Sequence, residues 1–264
     1  MRIQNFPVDS RATLVKRRRI SNDVNIITFE CPAIAATAKP GNFVNIKVSD
    51  ATHPLLRRPF SIHNVYSSFV EVMVKSIGLG TTQLCNTPEG FEVMMLGPLG
   101  NSFDLMSQPF HTAVIVSGGI GTAPMLFLEK TLVATGKEVI HLVGGKTKKD
   151  LLIHDLANCR ISTDDGSAGL KGNVVELLHQ ELPDLKKKGL LKIFACGTNA
   201  MLKALAGFCI EHQLPCDLSL ESVMGCGVGI CYGCSVEVKD KNGVSKTILL
   251  CQDGPIINSK SLAN

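Results

Sequence analysis

Apolar and polar residues alternate in short segments through roughly the first hundred residues of the chain. A period of two is typical of β-strands, and Pro-Gly, Asn and Ser residues at the breaks indicate turns. Short strands that follow one another so closely favour a small antiparallel barrel. The predicted strands are 12–17, 24–30, 43–48, 70–75 and 91–96.

From residue 111 onwards, apolar runs alternate with helical segments. The run 111–117 is followed by a glycine-rich turn at 118–124 and a predicted helix at 125–134. Further strands are predicted at 139–143, near 161–163 and at 192–195. Buried strands that alternate with helices predict a doubly wound parallel sheet.

The length of 264 residues allows about two domains and a small appendage. We therefore predict a multi-domain protein that combines β and α/β parts. The predicted domains are an antiparallel barrel at 1–105, a parallel α/β domain at 106–212 and a small cysteine-rich domain at 213–264. A content of 45% hydrophobic and 19% charged residues agrees with a folded globular protein.

Charge and hydropathy argue against two classes of partner. The net charge is only +4, and the basic runs 16–19 and 186–188 have no aromatic residues between them, so nucleic-acid binding is not expected. No apolar stretch approaches the roughly 18–20 residues that cross a bilayer, and the first ten residues lack the apolar core of a signal peptide. These features predict a cytoplasmic protein that does not contact membranes.

Ten cysteines in a reducing compartment are not expected to form structural disulfides, so a cysteine cluster points to a metal. Six of the ten are widely spaced and are predicted to be small core residues: Cys31, Cys85, Cys159, Cys196, Cys209 and Cys216. The other four are Cys226, Cys231, Cys234 and, 16 residues further on, Cys251. Their C-x4-C-x2-C…C spacing is that of a plant-type [2Fe–2S] site.

The sequence around these cysteines suits a tightly curled loop. Glycines 225, 227, 229 and 233 permit positive φ angles and close backbone approach, so that amide groups can point inward at the sulfurs. A hairpin is predicted between the third and fourth ligands, with strands 235–239 and 244–250 and a turn at 240–243. A zinc site is the alternative, but it usually shows paired C-x2-C knuckles. Buried unligated cysteines would not need the glycines.

Apolar residues are frequent around the same loop: Val223, Met224, Val228, Ile230 and Tyr232. Exposed together, they would form a patch typical of a protein–protein interface. The alternative is that they pack against the chain's own barrel.

Two loops of the predicted barrel suit a dinucleotide. Arg58-Pro59-Phe60-Ser61 places a guanidinium and a hydroxyl on an extended segment, where they can reach a diphosphate and a ring heteroatom. Residues 75–82 end a strand and begin a predicted helix, whose N-terminus suits a pyrophosphate. Each motif alone is common by chance.

The order of these motifs, followed by Gly97-Pro98-Leu99-Gly100, resembles the FAD half of the ferredoxin–NADP reductase superfamily. The resemblance implies that Arg58 binds the FAD diphosphate, that Ser61 lies by the flavin N5 and that Gly80, Thr81 and Thr82 cap the diphosphate. Phe60 stands where the family often has Tyr, which removes one hydroxyl contact. The full set of FAD-binding residues implied in this way is Arg58, Pro59, Phe60, Ser61, Met73, Val74, Lys75, Gly80, Thr81 and Thr82.

The glycine-rich turn at 118–124 reads G-G-x-G-x-x-P and departs from the strict dinucleotide-binding G-x-G-x-x-G pattern. It resembles the NAD(P) turn of the same superfamily, in which Pro fits the first turn of the helix. Residues 196–201 resemble that superfamily's C-G-P-x-x-M, with Thr198 at a position that is usually Pro or Ala. The resemblance implies a positioning role for Cys196 near the junction of nicotinamide and flavin; the alternative is a core cysteine at the end of a strand.

The choice between NAD and NADP depends on the turn after the third strand. The superfamily's NADP enzymes hold the 2′-phosphate there with a Ser-Arg pair, whereas this chain has Asp164 and Asp165. Carboxylates repel a phosphate and accept from a ribose hydroxyl, which favours NAD, although Lys146, Lys148 and Lys149 lie nearby. The NAD-binding residues implied by the resemblance are Gly118, Gly119, Gly121, Thr122, Asp164, Asp165, Cys196 and Gly197.

The whole chain is similar to the electron-transfer subunits of B-type, NAD-linked dihydroorotate dehydrogenase. The similarity lies in LLRRPFSI at 55–62, LGPLGN at 96–101, TDDGSAGLKG at 163–172, ESVMGCGVGICYGC at 221–234 and CQDGP at 251–255. It implies FAD, a [2Fe–2S] cluster and NAD as cofactors, and a heterotetramer of two such chains with two FMN-bearing catalytic subunits.

Two other functions stay open at the level of sequence. One is the small subunit of an NADH-dependent ferredoxin:NADP oxidoreductase or of a sulfide dehydrogenase, although an Asp in the ligand set would favour that group. The other is a structural zinc protein without catalytic activity.

Overall fold

The computed structural model describes residues 7–49, 51–240 and 242–262. Most of the N-terminal segment in which no signal peptide is predicted, and one residue of the predicted hairpin turn, lie outside these ranges. The chain forms a closed barrel, a seven-stranded sheet and a two-stranded hairpin. This architecture confirms the predicted fold class.

The barrel contains six antiparallel strands in the closed order β1-β2-β5-β4-β3-β6. Their bounds are β1 Val8–Arg19, β2 Val24–Glu30, β3 Phe43–Lys47, β4 Arg58–Tyr66, β5 Phe69–Lys75 and β6 Glu92–Leu99. The short helix α1, Pro32–Ala35, follows β2, and α2, Leu79–Asn86, follows β5. All five predicted strands form, and alternate residues of each fill the barrel core.

The second sheet is parallel except for its last strand and has the order β10-β9-β8-β7-β11-β12-β15. Its strands are β7 Thr112–Gly118, β8 Glu138–Gly145, β9 Cys159–Thr163, β10 Leu170–Lys171, β11 Leu191–Cys196, β12 Cys216–Ser219 and β15 Ile256–Asn258. The longer helices are α3 Met125–Ala134, α4 Val174–Lys186 and α5 Asn199–Glu211. Residues of α3 pack on one face of the sheet, and residues of α4 and α5 pack on the other, so the sheet is doubly wound as predicted.

The C-terminal part contains the predicted hairpin, with strands β13, Ser235–Lys239, and β14, Ser245–Leu249. Val238 and Ile248 of this hairpin share a core with α4 and α5. Strands β12 and β15, which flank the cysteine segment, belong to the parallel sheet, and the last helix, α6 Ser259–Leu262, follows directly. The cysteine segment is therefore anchored at both ends in the sheet, and the three-domain division stays a prediction.

The topology places the predicted binding segments at one edge. The strand order reverses between β7 and β11, and ligands of open parallel sheets bind beyond the carboxyl ends of strands at such a switch point.

Among the helices of the described ranges, none combines the length and the apolar character needed to span a membrane.

Candidate functional site

Four thiols meet in two pairs beneath the loop that joins β12 to β13. In the outer pair, the Cys231 amide donates to Cys226 Sγ and the Cys226 amide donates to Cys231 Sγ, each at 3.4 Å. In the inner pair, the sulfurs of Cys234 and Cys251 are 3.3 Å apart. Cys231 is exposed and both thiols of the inner pair are buried, so the four sulfurs lead from the surface into the protein.

Backbone amides of the loop point inward at these sulfurs. The donors are Val228 and Ile230 to Cys226 Sγ at 3.4 Å, Gly233 to Cys231 Sγ at 3.4 Å and Gly229 to Cys251 Sγ at 3.1 Å. Hydrogen bonds to thiolate sulfurs stabilise the negative charge and tune the potential of an iron–sulfur cluster. The loop is curled with inward amides as predicted, but of its four glycines only Gly227 and Gly229 have positive φ angles.

One thiol of each pair, Cys226 in the outer pair and Cys251 in the inner pair, has a shifted pKa, and the two shifts are opposite. Burial opposes ionisation of Cys226, but amide hydrogen bonds from Val228 and Cys231 outweigh it and lower the pKa of this thiol to about 6. Burial, together with the hydrogen bond to Cys234, raises the pKa of Cys251 to about 12. Cys251 therefore needs the positive charge of a metal in order to ionise.

The arrangement of the sulfurs fits a cluster with two irons. Within the described ranges, no three His, Cys, Asp or Glu side chains already stand as the ligands of one ion. The four thiols are divided two and two instead, and each iron of a [2Fe–2S] cluster takes two thiolates. A structural zinc site would need all four sulfurs around a single ion.

Two glycines let the loop fit against its surroundings. Gly227 has a φ of +75°, and a Cβ atom there would lie 2.4 Å from Asn45 Nδ2 on the barrel. Gly229 has a φ of +80°, and its Cβ atom would lie 2.8 Å from Cγ of Gln252. A side chain at either position would strain the backbone at a positive φ angle and would require Asn45 or Gln252 to move.

The barrel also holds the segment that follows Cys251. Asn101 Nδ2 donates to the carbonyls of Asp253 at 2.9 Å and Ile256 at 2.8 Å, and Asn101 Oδ1 accepts from the Ile256 amide at 2.9 Å. Asn101 thus positions the fourth cysteine from a part of the chain remote in sequence. Sequence analysis noted its motif only as a resemblance.

The apolar residues around the loop divide into two groups. Val223, Ile230 and Tyr232 are 87%, 79% and 67% exposed. Met224 and Val228 pack against the core shared with the barrel residues Phe43 and Leu99 and with the parallel sheet. The predicted exposed patch therefore holds for three of the five residues, and the alternative of packing within the chain holds for the other two. We call Val223, Ile230 and Tyr232 the loop patch.

The two segments predicted to bind a flavin dinucleotide meet on the barrel. A Cβ atom at Gly80, in the first turn of α2, would lie 3.0 Å from Arg58 Nε. The guanidinium thus lies beside the helix N-terminus, where backbone amides lack partners within the helix and attract anions. Thr81 Oγ1 accepts from the Ile77 and Gly78 amides at 3.0 and 3.1 Å, which fixes the loop that enters this helix.

The other candidate FAD residues lie on β4 and β5. Ser61 is half-buried on the outer face of the barrel, opposite Phe43 of β3, whereas Phe60 points into the barrel core. Val74 also fills that core, and Met73 packs between the barrel and the parallel sheet. The side chains of Phe60 and Val74 therefore serve packing.

Two candidate FAD residues are engaged locally. Lys75 forms a salt bridge with Asp23 at 3.5 Å. Pro59 lies opposite Asn45 of β3 in the barrel ladder.

The glycine-rich turn after β7 and the end of β11 are in close contact. A Cβ atom at Gly121 would lie 2.4 Å from the Cys196 carbonyl oxygen and 2.7 Å from Gly197 Cα. Only glycine permits this approach, which brings the two halves of the predicted nicotinamide site together at the switch point. Thr122 is buried with its hydroxyl 3.2 Å from that of Ser117, and Pro124 directly precedes α3.

Cys196 itself has a buried side chain in the core against α3, and burial raises the pKa of its thiol to about 12. This environment suits the core alternative, and its backbone forms the contact with Gly121. The proposed positioning role of the side chain stays a prediction.

Glu221, the first residue of the motif at 221–234, has no role predicted from the sequence and lies just beyond β12 at the same edge of the sheet. Desolvation raises the pKa of its carboxyl, and its charge in turn raises the pKa of the Cys196 thiol. Carboxyls with perturbed pKa values are frequent at functional sites.

The acidic turn and the nearby lysines lie side by side. The amides of Asp164 and Asp165 donate to the carbonyls of Gly145 and Lys146 at 3.0 and 3.2 Å. Asp165 Oδ1 accepts from the Ser167 amide at 2.9 Å, and the hydrogen bonds from Ser167 lower the pKa of this carboxyl. Asp165 therefore holds the turn, which leaves Asp164 as the better candidate for a ribose hydroxyl.

The family model and the two relatives described next all belong to dihydroorotate dehydrogenase B. Residues 221–263 match the family described as the iron–sulfur cluster binding domain of dihydroorotate dehydrogenase B. A protein of Desulforamulus reducens named dihydroorotate dehydrogenase B (NAD(+)), electron transfer subunit, is 36% identical over 238 residues, which are 88% of this chain and 89% of that protein. A protein of the same name from Lysinibacillus sphaericus is 35% identical over 259 residues, covering 95% of this chain and 96% of its own.

A solved structure agrees with the fold. The chain is similar to the NADH-dependent reduced ferredoxin-NADP oxidoreductase, a structure described in terms of flavin-based electron bifurcation, with a TM-score of 0.80 and 25% identity. The similarity covers 95% of this chain and 88% of the other.

Proposed function

The chain belongs to the family of electron-transfer subunits of NAD-linked dihydroorotate dehydrogenase B, and from this premise we propose how its residues perform that transfer. Electrons from a catalytic subunit that oxidises dihydroorotate pass through this subunit to NAD+. Oxidation of dihydroorotate releases two electrons and two protons, and NAD+ takes up both electrons with one proton. The cofactors of the chain are FAD, a [2Fe–2S] cluster and NAD.

The observation that carries the proposal is the division of the four thiols into an outer pair, with Cys226 half-buried and Cys231 exposed, and a buried inner pair. Cys226, Cys231, Cys234 and Cys251 hold the cluster, which supplies a one-electron carrier between the partner and the flavin. The outer pair faces the surface, and the loop that holds it contacts Asn45 on the barrel. All four proposed ligands are cysteines, and nothing here favours the alternative ferredoxin:NADP oxidoreductase.

The proposal also specifies the partner subunit and the cellular compartment. The partner is a catalytic subunit that bears FMN, and two copies of each chain form the complex. The loop patch is the surface that this partner covers. A reducing, cytoplasmic environment keeps the four ligand thiols available for iron.

The purified chain tests the central proposal. We expect flavin absorbance together with thiolate-to-iron absorbance, and NADH should bleach the flavin and produce the electron paramagnetic resonance signal of a reduced [2Fe–2S] cluster. A colourless preparation that contains zinc would contradict the proposal.

Arg58→Ala should weaken FAD binding by about 1.5–3 kcal/mol, because a charge-assisted contact with the diphosphate is lost. Titration of flavin-free protein with FAD measures the change. The neighbouring Arg57 is the matched control, since its guanidinium pairs with Asp9 at 2.7 Å instead. If Arg57→Ala weakens FAD binding as much as Arg58→Ala, the assignment to Arg58 is wrong.

Asp164→Ser should shift the ratio of kcat/KM for NADH over NADPH towards NADPH by roughly tenfold, because a charged hydrogen bond to the ribose contributes about 1.5–3 kcal/mol. Steady-state dye reduction with each nucleotide gives the ratio. Asp165→Asn is the control, since it keeps an acceptor for the Ser167 amide. A larger shift in the control than in Asp164→Ser would transfer the role to Asp165.

A further inference from the structure

Asn45 lies between the strand proposed to bind the flavin and the loop proposed to hold the cluster. Val44 and Ile46, its neighbours on β3, point into the barrel core, so Asn45 projects from the outer face. An amide side chain on the outside of a barrel is ordinarily solvated, but Asn45 is 0% exposed. The cysteine loop covers it.

The contact with that loop is close and involves a proposed ligand. Asn45 Nδ2 donates to the carbonyl of Cys226 at 3.4 Å. A Cβ atom on Gly227 would lie only 2.4 Å from the same nitrogen. The glycine therefore gives room for this side chain.

On the barrel side, Asn45 belongs to the ladder that carries the flavin motif. Its backbone lies opposite Pro59, between Arg58 and Ser61 in sequence, and Phe43 lies opposite Ser61. One residue of β3 thus joins the flavin strand through its backbone and the cysteine loop through its side chain.

The carboxamide oxygen adds an independent observation. Asn45 Oδ1 is buried and accepts no hydrogen bond from the described residues. A buried acceptor without a partner is costly, so its retention at this contact needs a reason beyond packing.

We propose that Asn45 is a positioning residue that fixes the cluster loop against the flavin strand and thereby sets the electronic contact between cluster and flavin. The proposal rests on the assignment of both cofactors in the proposed function. Asn45 does not exchange electrons or protons itself. Its hydrogen bond to the Cys226 carbonyl orients the backbone from which one cluster ligand projects.

Asn45→Leu and Asn45→Asp test the proposal in the full-length protein reconstituted with FAD and iron. Leucine keeps the branching at Cγ and the number of side-chain heavy atoms, although it is bulkier, and it removes the hydrogen bond. We expect NADH to reduce the flavin at the wild-type rate in stopped-flow, while subsequent reduction of the cluster slows by about tenfold, since small misplacements of reacting groups have large kinetic effects. Aspartate places a negative charge beside Cys226 and should shift the midpoint potential of the cluster to a more negative value.

Asn64→Leu is the matched control, since Asn64 is also a buried barrel asparagine with an unpartnered Oδ1 but its amide donates to Glu71 at 2.9 Å. It should leave both the cluster potential and the rate of cluster reduction unchanged. Asn45 variants with wild-type cluster reduction, resonance signal and potential would overturn the proposal, and so would equal effects of the control. A wild-type protein that lacks iron or flavin would instead contradict the proposed function itself.

Discussion

Replacing Cys231 by serine should remove most of the iron from the purified chain while FAD stays bound. Cys231 belongs to the exposed outer pair, and its loss leaves one iron with a single thiolate from the chain. The candidate diphosphate contacts, Arg58 and Gly80, lie on the barrel and do not depend on this sulfur. Iron and flavin per chain, measured on the same preparation, give the result directly.

Cys159→Ser is the control for this experiment. Cys159 is a half-buried thiol at the start of β9, outside the four-cysteine set, and its variant should keep the full iron content. Full retention of iron in Cys231→Ser would exclude Cys231 as a ligand. Loss of FAD together with iron would show that the barrel depends on the cluster for its fold.

The four cysteines could be recognised from sequence because three of them share one short loop whose spacing is set by local geometry. What spacing could not show is how the loop is held. Asn45 and Asn101 are remote in sequence from the cysteines, and the tertiary fold brings each into contact with the cysteine segment. A single asparagine in a strand carries no periodic signal, so only the folded chain reveals its role.

The flavin segments show a second limit of sequence patterns. Arg58 and Gly80 belong to separate motifs, and the structure places them side by side at the start of α2, where a Cβ atom on Gly80 would lie 3.0 Å from Arg58 Nε. Their role in one FAD site stays a prediction. The sequence predicts the segment around Pro59 only as extended, and the structure makes it the start of strand β4. Proline is tolerated there because it lies next to the first residue of the strand. Phe60 and Val74 were assigned to FAD by resemblance alone, and the barrel core takes both side chains.

Glu221 was missed for a different reason. It follows β12, a strand of four residues that is too short to show a clear hydrophobic period. The strand is recognisable only through its pairing with β11 and β15. Glu221 belongs to the motif at 221–234, but nothing in that motif indicates a role for its carboxyl.

The isolated chain should reduce artificial dyes with NADH but should not oxidise dihydroorotate, and addition of the catalytic subunit should restore dihydroorotate-dependent reduction of NAD+.

We expect Ile230→Glu in the loop patch to weaken binding of the catalytic subunit by about 2 kcal/mol or more, or roughly thirtyfold in Kd. The introduced glutamate would bury an unpaired charge at the centre of an apolar contact. Calorimetry on the two purified subunits measures the affinity.

The matched control is Val133→Glu. Val133 is also exposed, at 57%, but lies on α3, on the face of the parallel sheet opposite the core that receives the cluster hairpin. This variant should bind the partner as the wild type does, and both variants should keep NADH-dependent dye reduction, since the nucleotide and flavin sites are untouched. Equal affinities of Ile230→Glu and wild type would place the interface elsewhere. Oxidation of dihydroorotate by the homogeneous isolated chain would contradict the relay, because it would require the chain to bind and oxidise that substrate without its partner.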